Sequence, residues 1–275
     1  MSDATLTGAV PGIPGASYRA ASLPGALQNA IFINPWTQVA DGKVLLHVPG
    51  VARYMMEGGV SISIHAEKDA DPSSVDLFLK GPARGYLIHQ RGEVPLEAAT
   101  VIAPNGAAVA LSSLSGMGNS TLAAELCRRG WRLVADGITR ITFTAGRMLA
   151  WPSHDKVILW RSACESFGMD LKSLQQVRPG MEKYYVPMPA ARGSAPLRTV
   201  VRLVRGETVA RIETLAKGEI LPSLQRWQYR WPQIEPLLAG NISPTIARMA
   251  EACQVVNITG AREKSPFELA DIVTR

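Results

Sequence analysis

Residues 113–121 read SLSGMGNST, and residues 107–112 before them read AAVALS. This stretch follows the phosphate-binding template G-x-x-x-x-G-K-[ST], in which backbone N–H groups surround phosphates, a lysine neutralises their charge and a hydroxyl binds Mg²⁺. Gly116, Gly118, Ser120 and Thr121 fit the template, whereas Ser113 replaces its first glycine and Asn119 replaces its lysine. The sequence therefore predicts the backbone of an anion-binding loop without its usual cation.

The segments on either side of the loop support this interpretation. The apolar run before it has the length of a buried strand. After it, TLAAELCRRG at 121–130 carries leucines at helical spacing and ends in basic residues and a glycine. RLVAD at 132–136 then predicts a second buried strand that ends in Asp136. Strand, glycine loop and helix is the unit in which a helix N-terminus meets a phosphate group. The simpler alternative, a glycine turn capped by Ser120, does not explain the flanking pattern.

Length and composition limit the classes of protein to which the chain can belong. The chain has 275 residues, 47% of them hydrophobic, which is enough for a large core. No apolar run approaches the roughly 20 residues of a membrane-spanning helix, and no export segment opens the chain, so we expect a cytoplasmic protein without a membrane partner. The three cysteines are far apart and have no metal-binding spacing. The net charge of +6 is scattered and comes with no nucleic-acid motif, so no nucleic-acid partner is expected.

The order of motifs predicts an α/β protein in three parts. Residues 1–30 are rich in Ala, Gly and Pro and predict a flexible lead-in, 31–92 predict a small α+β subdomain, and 93–275 predict the phosphate-loop domain. Within these parts the pattern predicts a helix over 72–92, one strand over 95–102, and a hairpin turn at Asn105-Gly106. It also predicts a helix over 159–168, paired strands at 199–204 and 209–215, and a helix over 234–253.

Several segments, in order, resemble one known family. They are LLHVPGVARYMMEGG at 45–59, LIHQRGEVPLEAATVI at 87–102, the loop, RRGWRLVADGITRI at 128–141, ILW at 158–160 and VRPGMEKYYVPM at 177–188. Together they resemble HPr serine kinase-like proteins, in particular the stand-alone homologues of lasso peptide and other modified-peptide gene clusters. The resemblance implies a P-loop α/β core of the HPr kinase and phosphoenolpyruvate carboxykinase type, preceded by a small β-rich N-terminal subdomain. It also implies ATP, Mg²⁺ and phosphoryl transfer to a serine or threonine hydroxyl of a peptide or protein.

The departures from the family pattern fall on the residues that perform the chemistry. Family members usually carry lysine at position 119, glycine at 113 and an Asp-Asp pair at 136–137, and active relatives commonly have a histidine where this chain has Glu97. Removal of one preorganised hydrogen-bond donor slows a reaction by about 10²–10³-fold. These changes are therefore expected to slow phosphoryl transfer. Two functions stay open, a kinase with a reduced catalytic set and a pseudokinase that only binds a peptide, partner or nucleotide. Another phosphate reaction, such as nucleotidyl transfer, and the formation of homo-oligomers also stay open.

The resemblance assigns roles to particular residues. Asp136 is the candidate catalytic base or Mg²⁺ holder, and Ser120 is a candidate Mg²⁺ ligand. Glu97 is a candidate replacement base or, equally, a partly buried carboxylate that faces a helix N-terminus. A cation from outside the loop could replace the missing lysine, and Arg140, Arg178 and Lys183 are the candidates, with solvated surface charges as the alternative. The candidate nucleotide-binding set is Ser115, Gly116, Met117, Gly118, Asn119, Ser120, Thr121, Arg178 and Lys183.

Overall fold

The computed structural model describes residues 6–114, 116–204, 211–231, 243–260 and 264–274. The chain forms two compact units, of which the first contains residues 1–93 and 230–243 and the second contains residues 94–229 and 244–275. Both units contain strands and helices, and the mixed α/β class predicted from the sequence is confirmed. Among the described helices, none combines the length and apolar character needed to cross a membrane.

The first unit is built on a seven-stranded sheet. Its strands are β1 (Thr7–Ala9), β2 (Ser17–Ala20), β3 (Ile31–Asn34), β4 (Thr37–Ala40), β5 (Lys43–Val48), β6 (Ala52–Glu57) and β7 (Ser61–Ala66). They lie in the order β1-β2-β7-β6-β5-β4-β3, and only β2 and β7 run parallel. In β6 and β7 alternate residues are buried, because one face of the sheet packs inward. This alternation matches the period-two pattern of the sequence.

A helical segment follows β7 and contains an irregular turn. It consists of α1 (Pro72–Phe78), a π-helical turn (Leu79–Ala83) and α2 (Arg84–Gln90). The carboxylate of Asp71 caps α1 by accepting from the Ser74 N–H at 2.8 Å. The predicted helix over 72–92 is thus interrupted around Pro82, whose missing N–H cannot complete a regular α-helical ladder.

The second unit contains the loop. Its larger sheet has nine strands, β8 (Val94–Glu97), β9 (Ala99–Ile102), β10 (Ala108–Ser113), β11 (Arg132–Ala135), β12 (Ile138–Thr144), β13 (Arg147–Trp151), β17 (Ala195–Val204), β18 (Arg211–Thr214) and β19 (Gln254–Thr259). A smaller sheet contains β14 (Lys156–Trp160), β15 (Gln175–Gln176) and β16 (Lys183–Pro187). The helices are α3 (Asn119–Arg128), α4 (Arg161–Ser166), α5 (Lys217–Arg226), α6 (Pro244–Ala252) and α7 (Pro266–Val273), with a short 3₁₀ turn at Leu171–Ser173.

The core of the second unit places the loop at the end of a buried strand. β10, β17 and β19 run parallel, and the glycine loop leaves β10 and enters α3. Leucines of α3 pack with Leu111, β14 and α7 on one face of the sheet, while α5 and α6 cover the other face. Because both faces are covered, the central strands are rich in apolar residues, with polar exceptions such as Arg202 in β17 and Asn257 in β19. The carboxyl end of β10 is where such a sheet leaves room for a ligand.

Some sequence predictions need correction. The predicted strand over 95–102 is two strands, because the chain changes neighbours at Ala98, with β8 paired to β12 and β9 paired to β10 and β11. β17 and β18 do not pair with each other, since β19 lies between them. The helix predicted over 159–168 begins at Arg161, because Leu159 and Trp160 continue β14. Of the helix predicted over 234–253, residues 234–242 lie outside the described residues.

Candidate functional site

A cavity of about 360 Å³ opens beside the glycine loop in the second unit. Its walls are the loop itself, the ends of β8 and β11, the end of β14 with the start of α4, and the start of β16. We refer to it as the loop cavity. All of its lining residues belong to the second unit.

The loop backbone has the conformation that an anion-binding loop requires. Gly116 and Gly118 have φ angles of 83° and 97°, in the left-handed region that strains other residues. A Cβ atom built on either glycine meets nothing within 4 Å, so conformation, not packing, selects glycine here. None of the described side chains forms a capping hydrogen bond at the start of α3 after Gly118. The first N–H groups of a helix have no partner within the helix, and uncapped they attract an anion.

Asp136 is held against the loop by two hydrogen bonds from different elements. The Ser120 hydroxyl donates to Asp136 Oδ1 at 2.7 Å, and the backbone N–H of Ile158 donates to Oδ2 at 2.8 Å. Asp136 directly follows β11, and Gly137, with a φ of 83°, turns the chain into β12. The carboxylate is therefore fixed beside the hydroxyl at the first turn of α3, as the sequence predicted for the end of this strand.

The surroundings of Asp136 act on its pKa in opposite directions. Burial raises the pKa of the carboxyl above its ordinary value and is the largest cause, because a charged carboxylate loses solvation. Hydrogen bonds from Ile158, Ser120 and Gly137 and the nearby charge of His154 lower it, and burial outweighs them. A carboxylate with a raised pKa is a better proton acceptor than an ordinary aspartate.

Glu97 brings a second carboxylate to the loop cavity. It is the last residue of β8, is exposed, and lines the cavity together with Asp136. Its backbone is held on both sides, since its N–H donates to the Trp227 carbonyl at 2.8 Å and its carbonyl accepts from the Ser112 hydroxyl at 2.8 Å. Two acidic side chains, Glu97 and Asp136, therefore border the cavity.

One wall of the loop cavity comes from the small sheet and contains Trp160 and Lys183, which are register partners on β14 and β16. We refer to it as the Trp160–Lys183 wall. Lys183 Nζ lies 4.4 Å from the centroid of the Trp160 ring, and Trp160 is 52% exposed. Sequence reasoning assigned no role to Ile158 or Trp160. The ILW segment was a signal for them, but the Ile158–Asp136 hydrogen bond joins segments 22 residues apart and the Trp160–Lys183 pair depends on β14–β16 register, neither of which has a local sequence pattern.

The structure brings most of the predicted site residues to this cavity. Arg178 and Arg140 are not among the lining residues. Arg140 is buried at 5% exposure with its guanidinium 4.8 Å from the Trp151 ring, and Arg178 is half-buried. Ser115 lies outside the described residues. Those that line the cavity are Glu97, Gly116, Met117, Gly118, Asn119, Ser120, Thr121, Asp136 and Lys183.

The donor set fits a magnesium ion that travels with a nucleotide. Ser120 and Asp136 offer hard oxygen ligands next to an uncapped helix start. In the described part of the chain no three His, Cys, Asp or Glu side chains are grouped as a metal site. Mg²⁺ is usually bound by one or two carboxylates together with phosphate oxygens and waters, so a full protein cage is not required.

Comparison with known proteins gives little direct information. No protein-family model matches the chain, and no curated protein matches it. One solved structure to which it is similar is the Hpr(Ser) kinase/phosphatase from Coxiella burnetii, at 13% identity and a TM-score of 0.34. That alignment covers 65% of this chain and 92% of the other. A TM-score at this level supports no conclusion about ligand or activity.

Proposed function

We propose that the loop cavity binds ATP with Mg²⁺ and that the protein transfers the γ-phosphoryl group to a serine or threonine hydroxyl of a peptide or protein. One observation carries this proposal: the 2.7 Å hydrogen bond from Ser120 to Asp136 at the uncapped start of α3, directly after a left-handed glycine. It joins an anion-binding backbone, a metal-ligand oxygen and a base in one cavity.

Phosphate binding follows from the backbone. The N–H groups at the start of α3 and the positive end of its dipole favour negative charge, and the left-handed glycines leave the loop free of side chains on that side. Ser120 and Asp136 would hold Mg²⁺. When bound, Mg²⁺ neutralises part of the charge that develops on the phosphate oxygens.

Transfer requires a base for the acceptor. The hydroxyl oxygen of the acceptor forms a bond to the γ-phosphorus while the bond from that phosphorus to the bridging oxygen of ADP breaks. The hydroxyl proton passes to a carboxylate, for which Asp136 is the first candidate because its pKa is raised. Glu97 is the second carboxylate on the same cavity. If Asp136 holds the metal, Glu97 accepts the proton, and if Asp136 is the base, Glu97 takes its place beside Ser120 at the metal.

A second function, nucleotide or peptide binding without transfer, is favoured by a separate observation. Both carboxylate oxygens of Asp136 already accept hydrogen bonds, and Asn119 brings no charge to the phosphates. Loss of one preorganised charge slows transfer by about 10²–10³ and can leave binding in place. A pseudokinase of this kind would use the same cavity.

The acceptor class is proposed from the sequence alone. The resemblance to stand-alone homologues of modified-peptide gene clusters implies a precursor peptide as the acceptor. A cytoplasmic location belongs to the same proposal.

A two-stage experiment separates the two functions. Isothermal titration calorimetry with Mg-ATP measures binding, and an array of Ser- and Thr-containing peptides with [γ-³²P]ATP measures transfer. Binding with transfer that Asp136→Asn abolishes supports the kinase. Binding without label on any peptide, at high protein concentration, supports the pseudokinase, and absence of Mg-ATP binding contradicts both the kinase and a nucleotide-binding pseudokinase.

A further inference from the structure

We propose that Lys183 supplies, from β16, the cation that position 119 of the loop lacks. This inference rests on the proposed nucleotide site and specifies how that site neutralises phosphate charge. It concerns the Trp160–Lys183 wall of the loop cavity. The sequence alone left Arg140, Arg178 and Lys183 as alternatives, and the structure distinguishes among them.

The need for a replacement is visible at position 119. Asn119 lines the cavity, is neutral, and has a side-chain oxygen that is buried without a hydrogen-bond partner among the described residues. The amide NH₂ of Asn119 can donate a hydrogen bond to a phosphate oxygen, but a neutral amide cannot offset the phosphate charge. A nucleotide bound here therefore has no charge partner on the loop itself.

Lys183 is placed to fill this need. It is the one Lys or Arg among the described residues that line the cavity. Of the remaining candidates, Arg140 is buried against Trp151, and Arg178 does not line the cavity.

The ammonium group of Lys183 is held in place without being neutralised. Its Nζ lies 4.4 Å from the Trp160 ring centroid, a cation–π contact, and it forms no ion pair with any described residue. The neighbouring Glu182 pairs with Arg161 instead, with Nε to Oε1 at 2.9 Å. An aromatic ring orients a cation without cancelling its charge, so the ammonium keeps its capacity to bind an anion.

The charges around the cavity give Lys183 a clear electrostatic task. Glu97 and Asp136 bring negative charge to the same lining, and each repels a polyphosphate. Mg²⁺ at Ser120 and Asp136 offsets part of this repulsion. Lys183 adds positive charge from the wall formed by β16, so the phosphates lie between two sources of positive charge.

The test removes the positive charge at position 183 and then restores one at position 119. Lys183→Met keeps an apolar side chain of similar length over Trp160 and removes the charge, and we expect it to weaken Mg-ATP binding roughly tenfold to a hundredfold in calorimetry. Adding Asn119→Lys returns a cation at the template position, so the double variant should recover most of that affinity. Lys183→Arg, which keeps the charge, should bind nearly as tightly as the wild type.

Lys156→Met is the matched control. Lys156 is also on the small sheet, with its Nζ 5.7 Å from the Tyr185 ring centroid, but it does not line the cavity. Its substitution should leave the affinity unchanged. Melting temperatures of all variants report whether the sheet still folds.

The outcomes separate this inference from the function on which it rests. If the wild type binds Mg-ATP and Lys183→Met binds it equally well, Lys183 is not the replacement cation and the nucleotide site stands. Equal losses in Lys183→Met and Lys183→Arg, or a double variant as weak as Lys183→Met, also overturn it. A wild type that does not bind Mg-ATP overturns the proposed function and this inference together.

Discussion

At the scale of single residues, Asp136 connects the loop to the proposed chemistry. One of its oxygens accepts from the loop through Ser120 and the other from β14 through Ile158. The sequence predicted the position of Asp136 at the end of its strand, because an acid after a buried apolar run stands out. It could not predict Ile158, whose contribution is a backbone N–H from a strand 22 residues away in the chain.

Asp136→Asn is expected to abolish transfer while the fold is kept. The amide oxygen can still accept from the Ile158 N–H, and its NH₂ group can donate to the Ser120 hydroxyl, so both hydrogen bonds survive. Loss of the base should reduce transfer by about 10²-fold or more. Phosphate incorporation into the peptide array measures this, and a variant with wild-type transfer rates would show that Asp136 is not the base.

Asp136→Asn should also change how the melting temperature of the protein depends on pH. Because the folded-state pKa of Asp136 is raised above its ordinary 3.8, the folded state binds the proton more tightly than the unfolded chain. The wild type therefore loses this contribution as pH rises from about 3.8 through the raised pKa. Asp136→Asn, which has no proton to lose, should melt at a higher temperature than the wild type at pH 7, with a smaller difference at pH 4. An unchanged difference between the two pH values would contradict the raised pKa.

Ser120→Ala tests the hydrogen bond from the other side. The Ser120 hydroxyl lowers the pKa of Asp136, so its removal should raise that pKa further and move the acidic limb of the transfer–pH profile to higher pH. Ser166→Ala is the control, because that hydroxyl donates to the Ala163 carbonyl and does not line the cavity. A profile shift of equal size in both variants would point to a general effect on the fold.

At the scale of elements, the glycine loop was predictable because its requirement is local. Left-handed backbone at positions 116 and 118 demands glycine whatever surrounds it, and the strand and helix beside the loop have their own periodic patterns. The Trp160–Lys183 wall was not predictable in the same way. It depends on a β14–β16 pair between segments with no local marker of pairing, and the residues 177–182 before β16 suggest only turns.

Gly118→Ala separates loop conformation from overall stability. A Cβ there meets nothing within 4 Å, so the substitution acts only by straining a backbone with a φ of 97° and should cost about 1–2 kcal/mol. Gly146→Ala is the matched control, since Gly146 has a φ of 72° and equally open surroundings in the β12–β13 turn. Denaturant unfolding should show similar losses for both, whereas calorimetry should show weakened Mg-ATP binding for Gly118→Ala alone. Equal ATP affinity in the two variants would show that the loop does not contact phosphate.

At the scale of the whole molecule, every residue that lines the proposed site belongs to the second unit. The sequence predicted the mixed α/β class and the approximate position of most strands, because hydrophobic periodicity survives in single segments. It did not predict the order of strands. β19 joins the sheet from the far end of the chain and separates β17 from β18, and such long-range pairing leaves no mark on either strand alone.

Mg-ATP should stabilise the protein against heat. At a concentration 100 times the Kd, a ligand that binds only the folded state adds about 2.7 kcal/mol. For a unit of this size, each kcal/mol of added stability raises Tm by roughly 2–4 °C. Differential scanning fluorimetry measures the shift, and Mg²⁺ with adenosine, which has no phosphates, should produce none. A similar shift with adenosine would place the main recognition away from the loop.

The most direct test of the central claim is a crystal structure of the protein with Mg²⁺ and a non-hydrolysable ATP analogue. We expect the phosphates against the backbone N–H groups at the start of α3 and the metal about 2.0–2.1 Å from the Ser120 hydroxyl oxygen. Lys183 should approach a phosphate oxygen within hydrogen-bonding distance. Clear nucleotide density at another place on the protein, with the loop cavity empty, would contradict the account.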